Sequence, residues 1–183
     1  MDKQAWRKHF KELRASIPAD DRARADAAIA QQVCELPEFQ SCDLLLAYLS
    51  FGAEIETRDI IRAAWADAKT VALPRCVLGT RTMKWYQVDS FEGLVKSSLG
   101  VEEPAEDPAR EVDPVAFEHA LCLVPGLTFD TQGFRMGYGG GFYDTFLKDF
   151  TGTSVGLCRR AQLSDKVPAL ESHDLSVNFV ITE

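Results

Sequence analysis

Apolar residues recur at helical spacing at the start of the chain and gather into short uncharged runs further on. Trp6, Phe10 and Leu13 stand four and three apart, which predicts an amphipathic helix over Lys3 to Ala15. Ile17-Pro18-Ala19-Asp20-Asp21 makes a turn whose acids suit a helix N-terminus. Ala25, Ile29, Val33 and Leu36 then mark one face of a second helix that stops before Pro37. Asp43 to Leu49 reads as a buried strand, Ser50 to Thr57 as a strand-to-helix loop with Thr57 as N-cap. The helix that follows is expected to bury Ile61, Ala64, Trp65 and Ala68. Lys69 to Arg75 and Met83 to Val88 read as strands joined by a turn at Gly79-Thr80. Gly100 to Pro114 is acidic, proline-bearing and aperiodic, so a surface flap is expected there. Ala120 to Val124, Ser154 to Cys158 and Val177 to Thr182 complete the strands. This alternation predicts an α/β fold in three layers, α/β/α, with a mostly parallel sheet covered on both faces. No internal repeat interrupts it, and one domain over residues 1–183 is expected.

The stretch from Val124 to Leu147, VPGLTFDTQGFRMGYGGGFYDTFL, departs from this regularity. Pro125-Gly126 breaks the strand, Asp130 to Gly133 has turn chemistry, and Gly137, Gly139, Gly140 and Gly141 are followed by Phe142-Tyr143-Asp144 and a helix-like Phe146-Leu147-Lys148. Strand, glycine loop and helix start bring bare backbone N–H groups against a phosphate. There is no G-x-x-x-x-G-K-[ST], and Phe142 stands where a third dinucleotide-motif glycine would fall, so neither the Walker nor the Rossmann fingerprint is present. A glycine cluster alone reads more readily as a tight turn or a flexible loop. Here Arg135 and Asp144 bracket it, supplying a cation for a developing anion and a carboxylate for Mg²⁺.

PGLTFDTQGFRMGYGGGFYD resembles the signature of the 5-formyltetrahydrofolate cyclo-ligase family, whose R-x-G-x-G-x-G-[FY]-Y-D core is specific. The resemblance reaches both ends of the chain. It implies a sheet of the NagB/RpiA/CoA-transferase-like kind and an ATP site built from Lys3, Arg7, Arg135, Met136, Gly137, Tyr138, Gly139, Gly140, Gly141, Phe142 and Tyr143. On residue pattern alone, Lys3, Arg7 and Arg14 form a solvated basic strip whose stems lie over the core; the family's Lys-x-x-x-Arg assigns Lys3 and Arg7 to phosphate. Its Leu-Ser … Glu-Ile-Glu-Thr pattern implies that Leu49 and Glu54 contact folate, with Phe142 and Tyr143 packing on it. A carboxylate suits the row of N–H donors on a pterin. Glu56 is left as a solvated acid. Val167-Pro168 … His173-Asp174 … Ile181-Thr182-Glu183 matches the closing pattern, which implies that Asp144 and Asp174 hold Mg²⁺ and that Arg135 is catalytic. Leu99 departs from the aromatic residue that many members carry there.

The resemblance thus implies ATP- and Mg²⁺-dependent cyclisation of 5-formyltetrahydrofolate to 5,10-methenyltetrahydrofolate, with ADP and phosphate released. Composition constrains this only at the margins. Twenty basic against 28 acidic residues give a formal charge of −8, which disfavours a nucleic-acid surface and requires any anion site to be locally basic. Cys34, Cys42, Cys76, Cys122 and Cys158 are scattered without C-x-x-C, so reduced core thiols and a cytoplasmic protein are expected. No apolar run is long enough to span a bilayer. A monomer is expected, and His9, His119 and His173 have no neighbours that suggest acid–base work. Arg75 after its strand reads as structural. Two rivals remain on sequence grounds. One is a sugar-phosphate isomerase or CoA transferase on the same sheet, the other a non-catalytic folate-binding module.

Overall fold

The computed structural model describes residues 2–97, 100–168, 170–171 and 174–183; Leu99 and His173 lie outside them. In chain order the first elements are α1 (Lys3–Ser16), α2 (Ala19–Glu35), α3 (Pro37–Ser41), β1 (Leu44–Leu46), α4 (Arg58–Ala66), β2 (Thr70–Cys76) and β3 (Met83–Gln87). The short strands β4 (Val95–Lys96), β5 (Glu102–Glu103) and β6 (Glu111–Val112) follow, then β7 (Ala120–Val124), β8 (Thr128–Asp130) and β9 (Arg135–Met136). The chain closes with α5 (Phe142–Leu147), β10 (Thr153–Leu157), β11 (Leu163–Ser164) and β12 (Phe179–Ile181).

The central sheet has the order β12-β10-β7-β1-β2-β3-β6. Its β12-to-β2 part is parallel, and β3 and β6 add antiparallel to the β2 edge. The period of two along a strand divides the core. Leu45, Leu121, Leu123, Val155 and Val71 point to one face, where they meet Ile29 and Val33 of α2 and Ile60, Ile61 and Ala64 of α4. Leu44, Leu46, Ala120, Cys122 and Val124 point to the other, where Phe142, Tyr143, Phe146 and Leu147 of α5 cover them. β1 and β7 are buried at every position, as the uncharged runs require of strands covered on both sides.

Connections from β1 and β7 leave in opposite directions. β1 runs through α4 to β2 on one side, and β7 runs through α5 to β10 on the other. The adjoining carboxyl ends of β1 and β7, where Leu46 pairs with Cys122, therefore form a topological switch point.

Several expectations are corrected. The glycine loop does not leave the central strand β7. It leaves β9, in a separate sheet of order β11-β8-β9. The turn that closes β8 to β9 is held by Asp130, whose Oδ1 accepts from the Gln132 and Phe134 N–H groups while Oδ2 accepts from Val167 N–H. α1 packs on this side sheet rather than the central one: Phe10, with Trp6 and Leu13, meets Leu127, Met136 and Val167.

The acidic stretch is not a structureless flap. β5 pairs with β4, β6 joins the central sheet, and Arg75 binds Glu103 at 2.9 Å and the Pro104 carbonyl at 2.8 Å. Ala68 lies beyond α4 at φ 57° and is exposed, because the helix ends at Ala66. Thr57 starts α4 without capping it. Its hydroxyl donates to the Tyr48 carbonyl at 2.5 Å. Glu56 does the capping, accepting from Thr57 N–H at 2.9 Å and Arg58 N–H at 3.0 Å. Burial opposes its charge, yet these bonds and the Arg58 guanidinium hold its carboxyl below the ordinary range, so Glu56 is no idle surface acid. The five cysteines are free thiols, with Cys42, Cys122 and Cys158 buried. Among the described residues no helix is long and apolar enough to cross a membrane.

Candidate active site

Residues 137–141 form the loop between β9 and α5. Gly139 at φ +103° and Gly141 at φ +70° occupy conformations that side chains rarely adopt. Arginines fill the space beside both. The Arg7 guanidinium lies against Gly139, where an added Cβ would stand 3.0 Å from Cζ, and Arg7 Nε donates to the Gly137 carbonyl at 3.1 Å. Arg7 Nη1 and Nη2 make no hydrogen bond among the described residues, so this half-buried side chain presents two free donors at the loop. Arg81, from the β2–β3 turn, stands on the other side, with its Cδ 3.3 Å from the position of a Cβ on Gly141. Arg81 did not stand out in the sequence, because a turn residue 60 positions from the loop carries no pattern of its own. Gly140 has a different constraint: a Cβ there would meet the Phe142 ring at 2.7 Å.

Arg135 does not face the loop as expected. It is 7% exposed, and both terminal nitrogens are committed, Nη1 to the Leu175 carbonyl at 2.9 Å and Nη2 to Asp144 Oδ1 at 2.8 Å. Asp144 Oδ1 also accepts from Leu175 N–H at 3.4 Å, so Arg135 ties the start of α5 to the 174–175 segment. The two residues assigned to metal therefore lie on segments that Arg135 links. Asp174 Oδ2 in turn accepts from Lys3 Nζ at 3.2 Å and from Glu171 N–H at 2.7 Å. Lys3 therefore pairs with Asp174 and Glu171 rather than reaching the glycines. No group of three or more metal-ligating side chains occurs among the described residues. One oxygen of Asp144 and one of Asp174 accept no hydrogen bond from a described residue. Mg²⁺ commonly takes one or two carboxylates and completes its shell with phosphate and water, so this pair fits it.

The loop after β1 carries the second half of the site. Glu54 accepts from Phe51 N–H at 3.1 Å and lies 4.0 Å from Arg14 Nη1. Arg14 is 6% exposed and donates through Nη2 to the Tyr138 hydroxyl, so the solvated basic strip expected for it is not what forms. Tyr138 projects from the glycine loop towards Phe51, with ring centroids 6.1 Å apart, and Lys11 lies 5.1 Å from its ring. α1 thus spans both loops, with Arg7 on one and Arg14 between Tyr138 and Glu54. The Tyr143 hydroxyl is buried without a partner among the described residues, and burial holds its proton well above the ordinary phenol range. Burial and then the Glu54 charge push Tyr138 up to about 12, so it too remains a neutral phenol.

Two of the residues assigned to ligands have buried side chains. Met136 is 2% exposed and buries its side chain among Phe10, Leu127 and Val167. Leu49 buries its side chain in the core beneath α2 and α4. Arg159 was missed. It is fully buried and donates to the carbonyls of Ala53 and Glu54 at 3.0 and 3.1 Å, while its Nε and Nη2 grip Asp26 at 2.7 and 2.8 Å. It fixes the backbone that carries Glu54. The only sequence signal for it is a charged residue directly after an apolar strand.

Burial raises the Glu54 carboxyl above its ordinary value, and the Phe51 N–H, Tyr138 and Arg14 only partly offset this. A raised acid contributes stability that is fully present below the unfolded value and lost as pH climbs through the folded one. Glu54→Gln is therefore expected to raise the melting temperature near pH 7, with the gain disappearing towards about pH 4. Melting curves across that range test it, and a pH-independent difference would remove the buried-charge account.

Fold and site together define an α/β protein with a cation-flanked glycine loop between its side sheet and the helix α5 that covers its central sheet. The chain belongs to the 5-formyltetrahydrofolate cyclo-ligase family, a family of ligases, matching it over residues 1–183. The 5-formyltetrahydrofolate cyclo-ligase of Mus musculus is 27% identical over 190 residues, spanning 99% of this chain and 93% of that protein. The enzyme of the same name from Escherichia coli K12 is 27% identical, spanning 94% and 96%. The NMR structure of 5,10-methenyltetrahydrofolate synthetase from Aquifex aeolicus superposes with a TM-score of 0.83 at 26% identity, over 98% of this chain and 89% of that one.

Proposed function

We propose that this protein cyclises 5-formyltetrahydrofolate to 5,10-methenyltetrahydrofolate at the expense of ATP, releasing ADP and phosphate. The observation that carries the reading is the placement of α1, which lays Arg7 on the glycine loop and Arg14 beside Glu54. A nucleotide phosphate and a folate would then meet across Tyr138 and Tyr143. The formyl oxygen attacks the γ-phosphorus as the bond to ADP breaks, leaving an N5-iminium phosphate. N10 adds to the activated carbon and gives up its proton to the phosphate, which departs with the former formyl oxygen.

Such a transfer needs positioning and charge neutralisation more than proton shuttling, which suits a site whose tyrosines stay protonated. The free Arg7 donors and Arg81 neutralise phosphate charge, and the loop amides cradle it. Arg135 acts from behind, holding Asp144 and the 174–175 segment in place. Asp144 and Asp174 would hold Mg²⁺, which when bound supplies neutralisation of charge on the phosphates. Glu54 accepts from the pterin N–H groups, and Phe142, packed on the central sheet, backs the cavity.

Following methenyl absorbance on mixing protein, 5-formyltetrahydrofolate and Mg·ATP tests the reading. Product is expected only with ATP present and in step with phosphate release. ATP-independent binding without product would favour a folate-binding module, and no binding of either ligand would favour another enzyme on this sheet.

A further inference from the structure

Arg14 is the least satisfied charged group in the described structure. Its guanidinium is more than nine-tenths buried, and only Nη2 has a partner, the Tyr138 hydroxyl. Nε and Nη1 are buried without a hydrogen bond to any described residue. Glu54, the nearest acid, is 4.0 Å from Nη1, beyond hydrogen-bond reach. A buried donor left open costs about 1–3 kcal/mol, and more when it is charged. Native proteins seldom retain such a cost unless a ligand or an ordered water meets it. The open donors lie beside the Glu54 carboxylate, an acceptor that is itself largely buried, with Tyr138 and Phe51 forming an aromatic wall. A donor fork next to an acceptor-only carboxylate is complementary to a cyclic amide edge, where a ring N–H and a C=O stand side by side.

We infer that Arg14 is a specificity-determining residue of the folate site: it donates to the pterin 4-oxo oxygen while Glu54 accepts from the adjoining N3–H and 2-amino group. This rests on the folate reading above and extends it to the choice between 4-oxo and 4-amino rings. A 4-amino ring turns N–H donors towards the guanidinium, so the same fork that binds the oxo form faces a mismatch.

The test measures binding of 5-formyltetrahydrofolate and of a 2,4-diamino folate analogue to wild type, Arg14→Leu and Arg14→Lys by titration calorimetry, with Mg·ATP binding and melting temperature alongside. Arg14→Leu is expected to weaken the 4-oxo ligand by about ten- to a hundredfold while the 4-amino analogue is unchanged or tighter. Mg·ATP affinity should stay near wild type. The melting temperature of the free protein should change little, because losing the open guanidinium donors is offset by leaving the Glu54 carboxylate without its nearest cation. Arg14→Lys, which lacks the planar fork, should shift the oxo-to-amino ratio in the same direction, and it serves if the leucine variant does not fold. An unchanged ratio in the folded variants overturns the inference. So does a fall in melting temperature with both ligands weakened alike, which is the signature of a purely structural arginine. Wild type that binds no reduced folate sinks the folate reading itself, and that outcome is distinct because it appears before any substitution is made.

Discussion

Arg159→Met is expected to cost about 3–5 kcal/mol of folding stability, because it strands the buried Asp26 carboxylate. Arg159 makes two parallel bonds to Asp26, at 2.7 and 2.8 Å, and two more to the Ala53 and Glu54 carbonyls. Asp26 Oδ2 also accepts from Glu56 N–H at 3.0 Å, so the pair holds the 53–56 backbone from below. Removing only the arginine leaves a charge without its counterion and two carbonyls without donors. Urea denaturation would show a lower midpoint with an unchanged slope. The double variant Arg159→Met/Asp26→Leu should recover much of the lost stability, since no isolated charge remains. It should not recover the folate KM, expected to rise about tenfold, because the loop still lacks its donors and misplacement of binding groups is costly. If the double variant restored KM together with stability, Arg159 would have no positioning role. A midpoint unmoved by the single change would mean the pair contributes nothing net.

Arg7→Ala should lower turnover by about a hundredfold, the scale seen on removing a preorganised stabiliser of developing charge. The fold should survive. Alanine is the best helix former, Arg7 lies inside α1, and among the described residues the only side-chain hydrogen bond lost is the one to the Gly137 carbonyl. The ATP KM should rise, since the free guanidinium nitrogens face the loop in the ground state too. Arg7→Lys should rescue part of the turnover, as it retains a point charge without the fork. Steady-state kinetics with a melting curve for each variant check this. Near-normal turnover in Arg7→Ala would take the residue out of the phosphate site. Arg135→Ala is a poorer probe of the same chemistry. Its buried pairing with Asp144 means stability and turnover would fall together.

How much of this was legible beforehand follows from the range of each interaction. Periodicity is local, so the stripe Trp6-Phe10-Leu13 located α1, and the uncharged runs located β1 and β7. The same stripe could not say which sheet α1 would cover. That was decided by the β8–β9 hairpin, whose Leu127 and Met136 offered the matching apolar face. The glycines of residues 137–141 announced an unusual backbone, and Gly139 and Gly141 have it. Which cation would stand over them was beyond the sequence. Arg135 is two residues from Gly137 and was the natural choice, yet a strand residue two positions away follows the side sheet into the interior and is claimed there by Asp144. Arg7, 130 residues from Gly137, reaches the loop instead.

Glu54 and Tyr138 were named one by one, but their meeting with Arg14 required three segments to be brought to one point. The chain by itself determined the main helices, which central strands are covered on both faces, and where a glycine-rich backbone would fall. Only the tertiary structure decided which charges are paired, which are left open, and which face a ligand. Hydrophobic patterning is written into neighbouring residues, whereas the state of a buried charge depends on partners that the sequence places 9 to 133 positions away.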